Sequence, residues 1–250
     1  MLGENFAPAL GFVNRPGIKD SFVGTGYKWR FTDGFFREIS AEVKGNYITD
    51  IDGGFSSRFA EVEIIDAETQ AGDRFKVSIH YTKEAFDEDF EIVDGVIIPV
   101  GTHAATTARF SFRTSEQRMF SANGSFRKGG YYNGNHSRIS AGLGFRPSKH
   151  FRLSVNYSTN SAKLPGGDFT SKTLSATSSV AFTSEWSWIT RLQYNNVSDD
   201  GGINMRVRYN PQPGRDLYFV VNHGFRVDEY NKIIGVQTDS VLKVGYTLRF

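Results

Sequence analysis

The sequence predicts an all-β protein of antiparallel strands, on three observations. First, apolar and polar residues alternate with period two in segment after segment, the pattern of strands with one apolar face. The clearest case is residues 241–250, which put Leu242, Val244, Tyr246, Leu248 and Phe250 on one side and Lys243, Gly245, Thr247 and Arg249 on the other. Second, the 250 residues include 26 Gly, 22 Phe and 11 Tyr but no Cys. That composition suits twisted strands and aromatic surfaces and permits no disulfide framework. Third, mean hydropathy is negative, and no run of about 18 apolar residues exists to form a spanning helix. Strands that are apolar on one face only can cross a bilayer while keeping such an average.

Residues 1–17 read as a loop-like leading segment broken by Pro8, Pro16 and Gly17, and 18–250 as one barrel domain. From Ile18 onward about twelve strands are counted, each with its apolar row. Ser21, Val23, Thr25, Tyr27, Trp29 and Phe31 make the first row, and Ile39, Ala41, Val43 and Tyr47 the second. The third, around Phe55 to Ile65, is ambiguous, because Ala60, Val62 and Ile64 compete with Phe59 and Ile65. The fourth sets Phe75, Val77, Ile79 and Tyr81 against Lys76, Ser78, His80 and Thr82. Next come rows led by Phe110 and Phe112, by Phe120 and Phe126, by Ile139 and Leu143, and by Leu153 and Val155. Leu174 and Val180, Trp186 and Trp188, Ile203 and Val207, and Leu217 and Phe219 anchor the rows that precede the terminal strand.

The connections are expected to alternate in length, as in barrels with short periplasmic turns and longer outer loops. The short set falls near 32–34, 66–73, 114–118, 146–150, 183–185 and 210–215. The longer set falls near 49–54, 83–103, 128–136, 160–170, 195–202 and 226–238. Trp186 and Trp188 then belong near the periplasmic interface, where an aromatic girdle sits. A soluble sandwich is disfavoured, because so many apolar rows exceed what one core can cover. The fold predicted is an antiparallel up-and-down transmembrane β-barrel of about 12 strands, either whole or the C-terminal part of a larger barrel.

The last strand resembles the terminal recognition strand of bacterial outer-membrane barrels: Lys243, Gly245, Leu248 and Phe250 stand where that signal has its polar residue, glycine and two hydrophobic residues. Four further segments, Phe6 to Arg15, Phe90 to Gly101, Leu164 to Phe169 and Pro213 to Leu217, resemble one bacterial outer-membrane family. It is a domain-of-unknown-function family whose longer members carry a carbohydrate-binding family-nine-like domain before a C-terminal barrel. The resemblance implies location in the outer membrane of a Gram-negative bacterium, contact with outer-membrane lipid, and delivery to the barrel-assembly machinery by the C-terminal strand. Met1 to Phe6 hold neither a basic nor an apolar segment, so an export signal and earlier parts are expected to be missing.

The polar rows are basic. Lys76, Arg109, Arg113, Arg127, Arg138, Arg146, Arg152, Arg191, Arg206, Arg208, Lys243 and Arg249 all fall on them, while acidic residues gather in predicted outer loops. One reading is a positively lined lumen that favours anionic solutes. The other pairs these cations with Glu42, Glu61, Asp216 and Tyr218 inside a plugged barrel. A net charge of +2 with no Lys/Arg run gives no nucleic-acid footprint. No metal or cofactor is expected: Asp50-Ile51-Asp52-Gly53 begins like a calcium loop, but Gly54 and Phe55 occupy its next ligand and glycine positions. No nucleophile elbow, zinc-protease helix or phosphate loop occurs. Tyr131, Tyr132, Phe86 and Phe90 suit either sugar stacking or packing among loops. The expectation is therefore a non-enzymatic barrel that anchors or conducts, linked to glycan binding or uptake. The alternative is a loop-rim hydrolase using Asp87, Asp89 and His103.

Overall fold

The computed structural model describes residue 3 and residues 16–247. The leading segment 4–15 and the terminal Leu248, Arg249 and Phe250, on which part of the assembly signal falls, lie outside the described residues. Among the described residues fifteen antiparallel strands form and no helix does. Thirteen make one sheet in chain order: β1 (Ile18–Arg30), β2 (Phe36–Asp50), β3 (Phe55–Thr69), β4 (Arg74–Phe86), β7 (Gly101–Arg113), β8 (Phe120–Tyr131), β9 (Gly134–Ser148), β10 (Phe151–Leu164), β11 (Gly167–Ala181), β12 (Trp186–Asn195), β13 (Asp200–Gln212), β14 (Arg215–Val227) and β15 (Ile233–Tyr246). The remaining pair, β5 (Phe90–Val93) and β6 (Val96–Ile98), forms a separate hairpin between β4 and β7.

Thirteen sheet strands replace the expected twelve because the terminal strand adds one to the rows read before it. The order runs linearly from β1 to β15, and no pairing among the described residues joins these two strands, so the expected closure is not seen. The chain divides into two compact units, the first containing 1–112, 125–138 and 161–169, the second 113–124, 139–160 and 170–250.

Within the first unit, directly opposed residues share a face. Tyr27 lies opposite Ala41, Trp29 opposite Ile39, Val43 opposite Val62, and Val62 opposite Ile79, which gives one apolar face across β1–β4. Glu42 opposes Glu63, Lys44 opposes Glu61, and Glu61 opposes His80 on the other. The ambiguous third strand is settled by an irregularity between Glu63 and Ile65. One extra residue there keeps Ala60, Val62 and Ile64 on the apolar side and returns Asp66 to the polar row.

In the second unit, Trp186, Trp188 and Leu192 oppose Tyr209, Val207 and Ile203, and the latter row continues through Phe219 and Leu242. Trp186 stacks on Tyr209 with ring centroids 4.4 Å apart, and Phe120 on Phe145 at 4.9 Å.

The expected alternation of loop lengths is not observed. Among the described connections only 87–100 is long, while 132–133 and 165–166 are two-residue turns between strands that extend well past their apolar rows. The reason is that Lys128 to His136 and Asn160 to Thr170 carry polar residues and glycine where an alternating apolar row would continue, and their apolar side chains, among them Tyr131, Tyr132, Ala162 and Leu164, pack into a local core instead. The apolar row ends there, but backbone pairing does not need it. At the opposite strand ends, Pro213-Gly214 closes the β13–β14 hairpin, with Gly214 at φ 85° in the region that a second turn residue after proline requires.

Burial separates the strands from one small core. Val23 is 73% exposed, Leu143 69% and Val244 75%, values that would be costly for a sheet face in water. By contrast Val96, Ile98, Ala162 and Leu164 are buried together, packed by Phe86, Ile92, Tyr131, Tyr132 and Phe169. This core sits at the loop end of the first unit and fixes the β5–β6 hairpin.

Candidate functional site

The polar face of β2–β4 carries a dense ion lattice. Glu61, Glu63 and Asp66 are buried, and a buried carboxylate needs partners to offset lost hydration. Lys44 Nζ lies 3.2 Å from Glu61, Lys76 Nζ lies 3.6 Å from the other oxygen of Glu61 and also pairs with Glu63, and Arg74 forks onto both oxygens of Asp66. Arg127 stands within electrostatic range of Glu61, and Arg109 and Arg138 within range of Arg127. Glu61 is one of the partners the plugged-barrel reading named, and it pairs with Lys44 and Lys76; Glu63 and Asp66 are what the sequence reading missed, since it placed most acidic residues in loops. The spacing Glu61, Glu63, Asp66 was legible only with the extra residue at the irregularity, which returns Asp66 to the face of Glu63.

Ser78, His80 and Glu61 lie together, but not as a proton relay. Ser78 Oγ is 2.9 Å and Glu61 Oε1 3.7 Å from the same nitrogen, His80 Nε2. A relay needs the two ring nitrogens to serve different partners, and Ser78 is completely buried.

Of the three hydrolase candidates, Asp89 and His103 are held by separate backbone groups of the loop. Asp89 accepts a hydrogen bond from the Val100 amide at 2.8 Å, while His103 Nε2 donates to the Pro99 carbonyl at 2.8 Å. The His103 ring packs against Phe86 at 5.8 Å. No hydrogen bond among the described residues joins Asp87, Asp89 and His103. Phe86, Phe90, Tyr131 and Tyr132 pack on one another, Phe86 stacking on Phe90 at 5.8 Å and Tyr131 lying 4.7 Å from Tyr132. Burial, with Tyr131 and Glu84 adding to it, pushes the Tyr132 phenol up to about 12. It stays neutral at ordinary pH.

In the second unit the basic residues divide into paired and unpaired. Arg208 binds Asp216, Arg152 binds Glu116, and Arg226 binds Asp200. Arg146 Nη2 lies 3.5 Å from the Gln117 carbonyl. Arg113 carries no carboxylate partner among the described residues. Arg208 also lies over the Tyr218 ring at 5.7 Å, and Tyr218 opposes Lys243 across β14–β15. Of the expected assembly signal, Lys243 and Gly245 share this polar face, opposite Tyr218 and Asp216.

Arg191 and Arg206 are different. Arg191 opposes Thr177 and Asn204, and Arg206 opposes Ile189 and Val220. Neither has a carboxylate partner among the described residues. The polar face is thus not uniformly free and basic: Lys76, Arg152 and Arg208 are neutralised by neighbours, and Arg191 and Arg206 are left available.

Comparison of the chain with protein-family models, with curated proteins and with solved structures gave no match in any of the three.

Proposed function

We propose that this chain is a non-enzymatic outer-membrane β-barrel protein, which anchors in the bilayer by its apolar face and conducts or holds anionic solutes on its polar one. The observation that carries the reading is exposure: Val23, Tyr27 and Val62 in the first unit, and Leu143, Leu242 and Val244 in the second, are large apolar side chains left uncovered. Lipid is the occupant that suits such a face, because every strand-paired backbone group is satisfied and the apolar rows need only hydrocarbon. Aromatic pairs such as Trp186–Tyr209 and Phe120–Phe145, near turns at one set of strand ends, suit an interfacial girdle.

The resemblance to a C-terminal barrel that follows a carbohydrate-binding domain is what links the proposed function to glycan binding or uptake.

The test is to refold the chain in detergent, compare migration of boiled and unboiled samples on gels, and record conductance in a planar bilayer under a salt gradient. Heat-modifiable migration with anion-selective steps supports an anion-conducting barrel. Folded and inserted but silent protein supports a plugged anchor. A protein that stays monodisperse in buffer without detergent overturns the reading.

A further inference from the structure

Two adjoining grooves on the polar face of the second unit share Arg191 and Gln193. One, of about 460 Å³, is lined by Arg152, Ser154, Ser175, Thr177 and Ser179 as well as Arg191. The other, of about 480 Å³, is lined by Asn204, Arg206 and Asn222 together with the shared pair. The register explains why they meet. Arg191 on β12 opposes Asn204, and Arg206 lies two residues beyond Asn204 on β13, so the two arginines are diagonal neighbours on one face. Such positions are about 7–8 Å apart, a span that two guanidinium forks can close around a small ion.

Three features define what the grooves take. The arginine pair has no carboxylate partner among the described residues, whereas Arg152, Arg208 and Arg226 nearby each have one. Ser175, Thr177 and Ser179 form a row of hydroxyls along β11, directly opposite Gln193, Arg191 and Ile189, and a hydroxyl beside a guanidinium is a second donor for the same anion. None of the side chains lining either groove is Phe, Tyr or Trp, and the one imidazole, His223, is hydrogen-bonded to Thr238 at 2.8 Å, so the lining is dominated by polar donors and not by aromatic platforms. The donors are those that recognise a charged oxygen cluster.

We infer that Arg191 and Arg206, with the hydroxyl row of β11, form a binding subsite for an oxyanion, the carboxylate, sulfate or phosphate group of a solute. The inference rests on the reading of the polar face as solute-facing and names the chemistry that this face selects. Arginine matches planar and tetrahedral oxyanions alike through paired N–H donors, and a lysine at either position keeps the charge but loses the fork.

The experiment uses the detergent-folded chain and direct titration by calorimetry, with sodium galacturonate as the carboxylate probe, sodium sulfate as the tetrahedral probe and sodium chloride as the ionic-strength control. At least one oxyanion is expected to bind saturably where chloride does not, and the stronger of the two identifies the source. Arg191→Gln and Arg206→Gln should each weaken that binding by about tenfold, as expected for loss of one charge-assisted fork. Lys149→Gln, an equal loss of charge in the β9–β10 turn, should leave it unchanged. Arg191→Lys, which keeps the charge should the neutral variants fail to fold, should weaken it by about threefold or more.

Binding by neither oxyanion overturns the inference, as does equal weakening by Lys149→Gln or full binding in Arg191→Lys. Saturable binding with no conductance would leave the subsite standing and remove only the channel. Anion-selective conductance without saturable binding would do the reverse.

Discussion

Arg208 Nη2 lies 2.7 Å from Asp216 Oδ1, across the Pro213-Gly214 turn that joins β13 to β14. The same carboxylate oxygen accepts from Asn210 Nδ2 at 2.8 Å and from the Tyr218 hydroxyl at 3.4 Å. Arg208 and Asp216 therefore act as one neutral pair, while Arg206, two residues earlier on the same face, keeps its full charge. In a salt-gradient bilayer recording, Arg206→Gln should shift the reversal potential toward cations. The double variant Arg208→Gln/Asp216→Asn should stay close to wild type. Loss of as much anion preference in the double variant as in Arg206→Gln would show that the pair does not neutralise itself.

Lys76 lies between two buried acids, and its removal leaves both short of a partner. Glu61 retains Lys44, but Glu63 has no other ion-pair partner among the described residues. Breaking a buried pair costs more than the pair contributes, because the remaining charge stays desolvated. Lys76→Met should destabilise the protein by roughly 2 kcal/mol, read as a lower urea midpoint in lipid vesicles. Adding Glu63→Gln should recover part of the loss. A single variant as stable as wild type would mean that water reaches these carboxylates.

Tyr132 sets a stability limit at high pH. Its phenol titrates near 10.0 when free and is pushed up to about 12 here, chiefly by burial. Below pH 10 the phenol is neutral in both folded and unfolded chains, so the contribution of its packing is complete. Between 10 and 12 the unfolded chain loses the proton and the folded one retains it, so stability falls as pH rises through this window. Tyr132→Phe should make the urea midpoint less sensitive to pH between 10 and 12. Ultraviolet titration should show one late-ionising tyrosine fewer. An unchanged titration curve would place the late group elsewhere.

The strands were legible where one face was apolar and the other polar, because the period-two rows of β4, β12 and β13 sit in the register that alternation implies. Legibility ended where glycine and polar residues interrupted the alternating row. Gly129 to Gly134 read as loop, although β8 and β9 continue to a turn at Tyr132-Asn133. It also failed at Ile64 and Ile65, where one extra residue changes which face an acid occupies. Among the basic residues, alternation places Arg191, Arg206 and Arg208 on one face equally well. Which of them is free depends on Asp216 arriving from the next strand, and that is a matter of turn length and register, not of the row itself.

The core beneath the 87–100 connection was not legible at all, since its members come from distant segments. Ile98 is completely buried and Ala162 nearly so, on β6 and β10 respectively. Neither belongs to an alternating row long enough to mark it. Ile98→Ala should leave a cavity that costs about 2–5 kcal/mol, and the place where that cost appears is specific. The β5–β6 hairpin is held to the rest of its unit by this core and by local bonds such as Asp89 to Val100, whereas the main sheet is held by its own backbone pairing. The variant should therefore open the hairpin without unfolding the strands. Limited proteolysis should cut within 87–100 many times faster than in wild type, while heat-modifiable migration of the protein stays the same. Loss of that migration in Ile98→Ala would mean that the loop core is needed for the sheet itself.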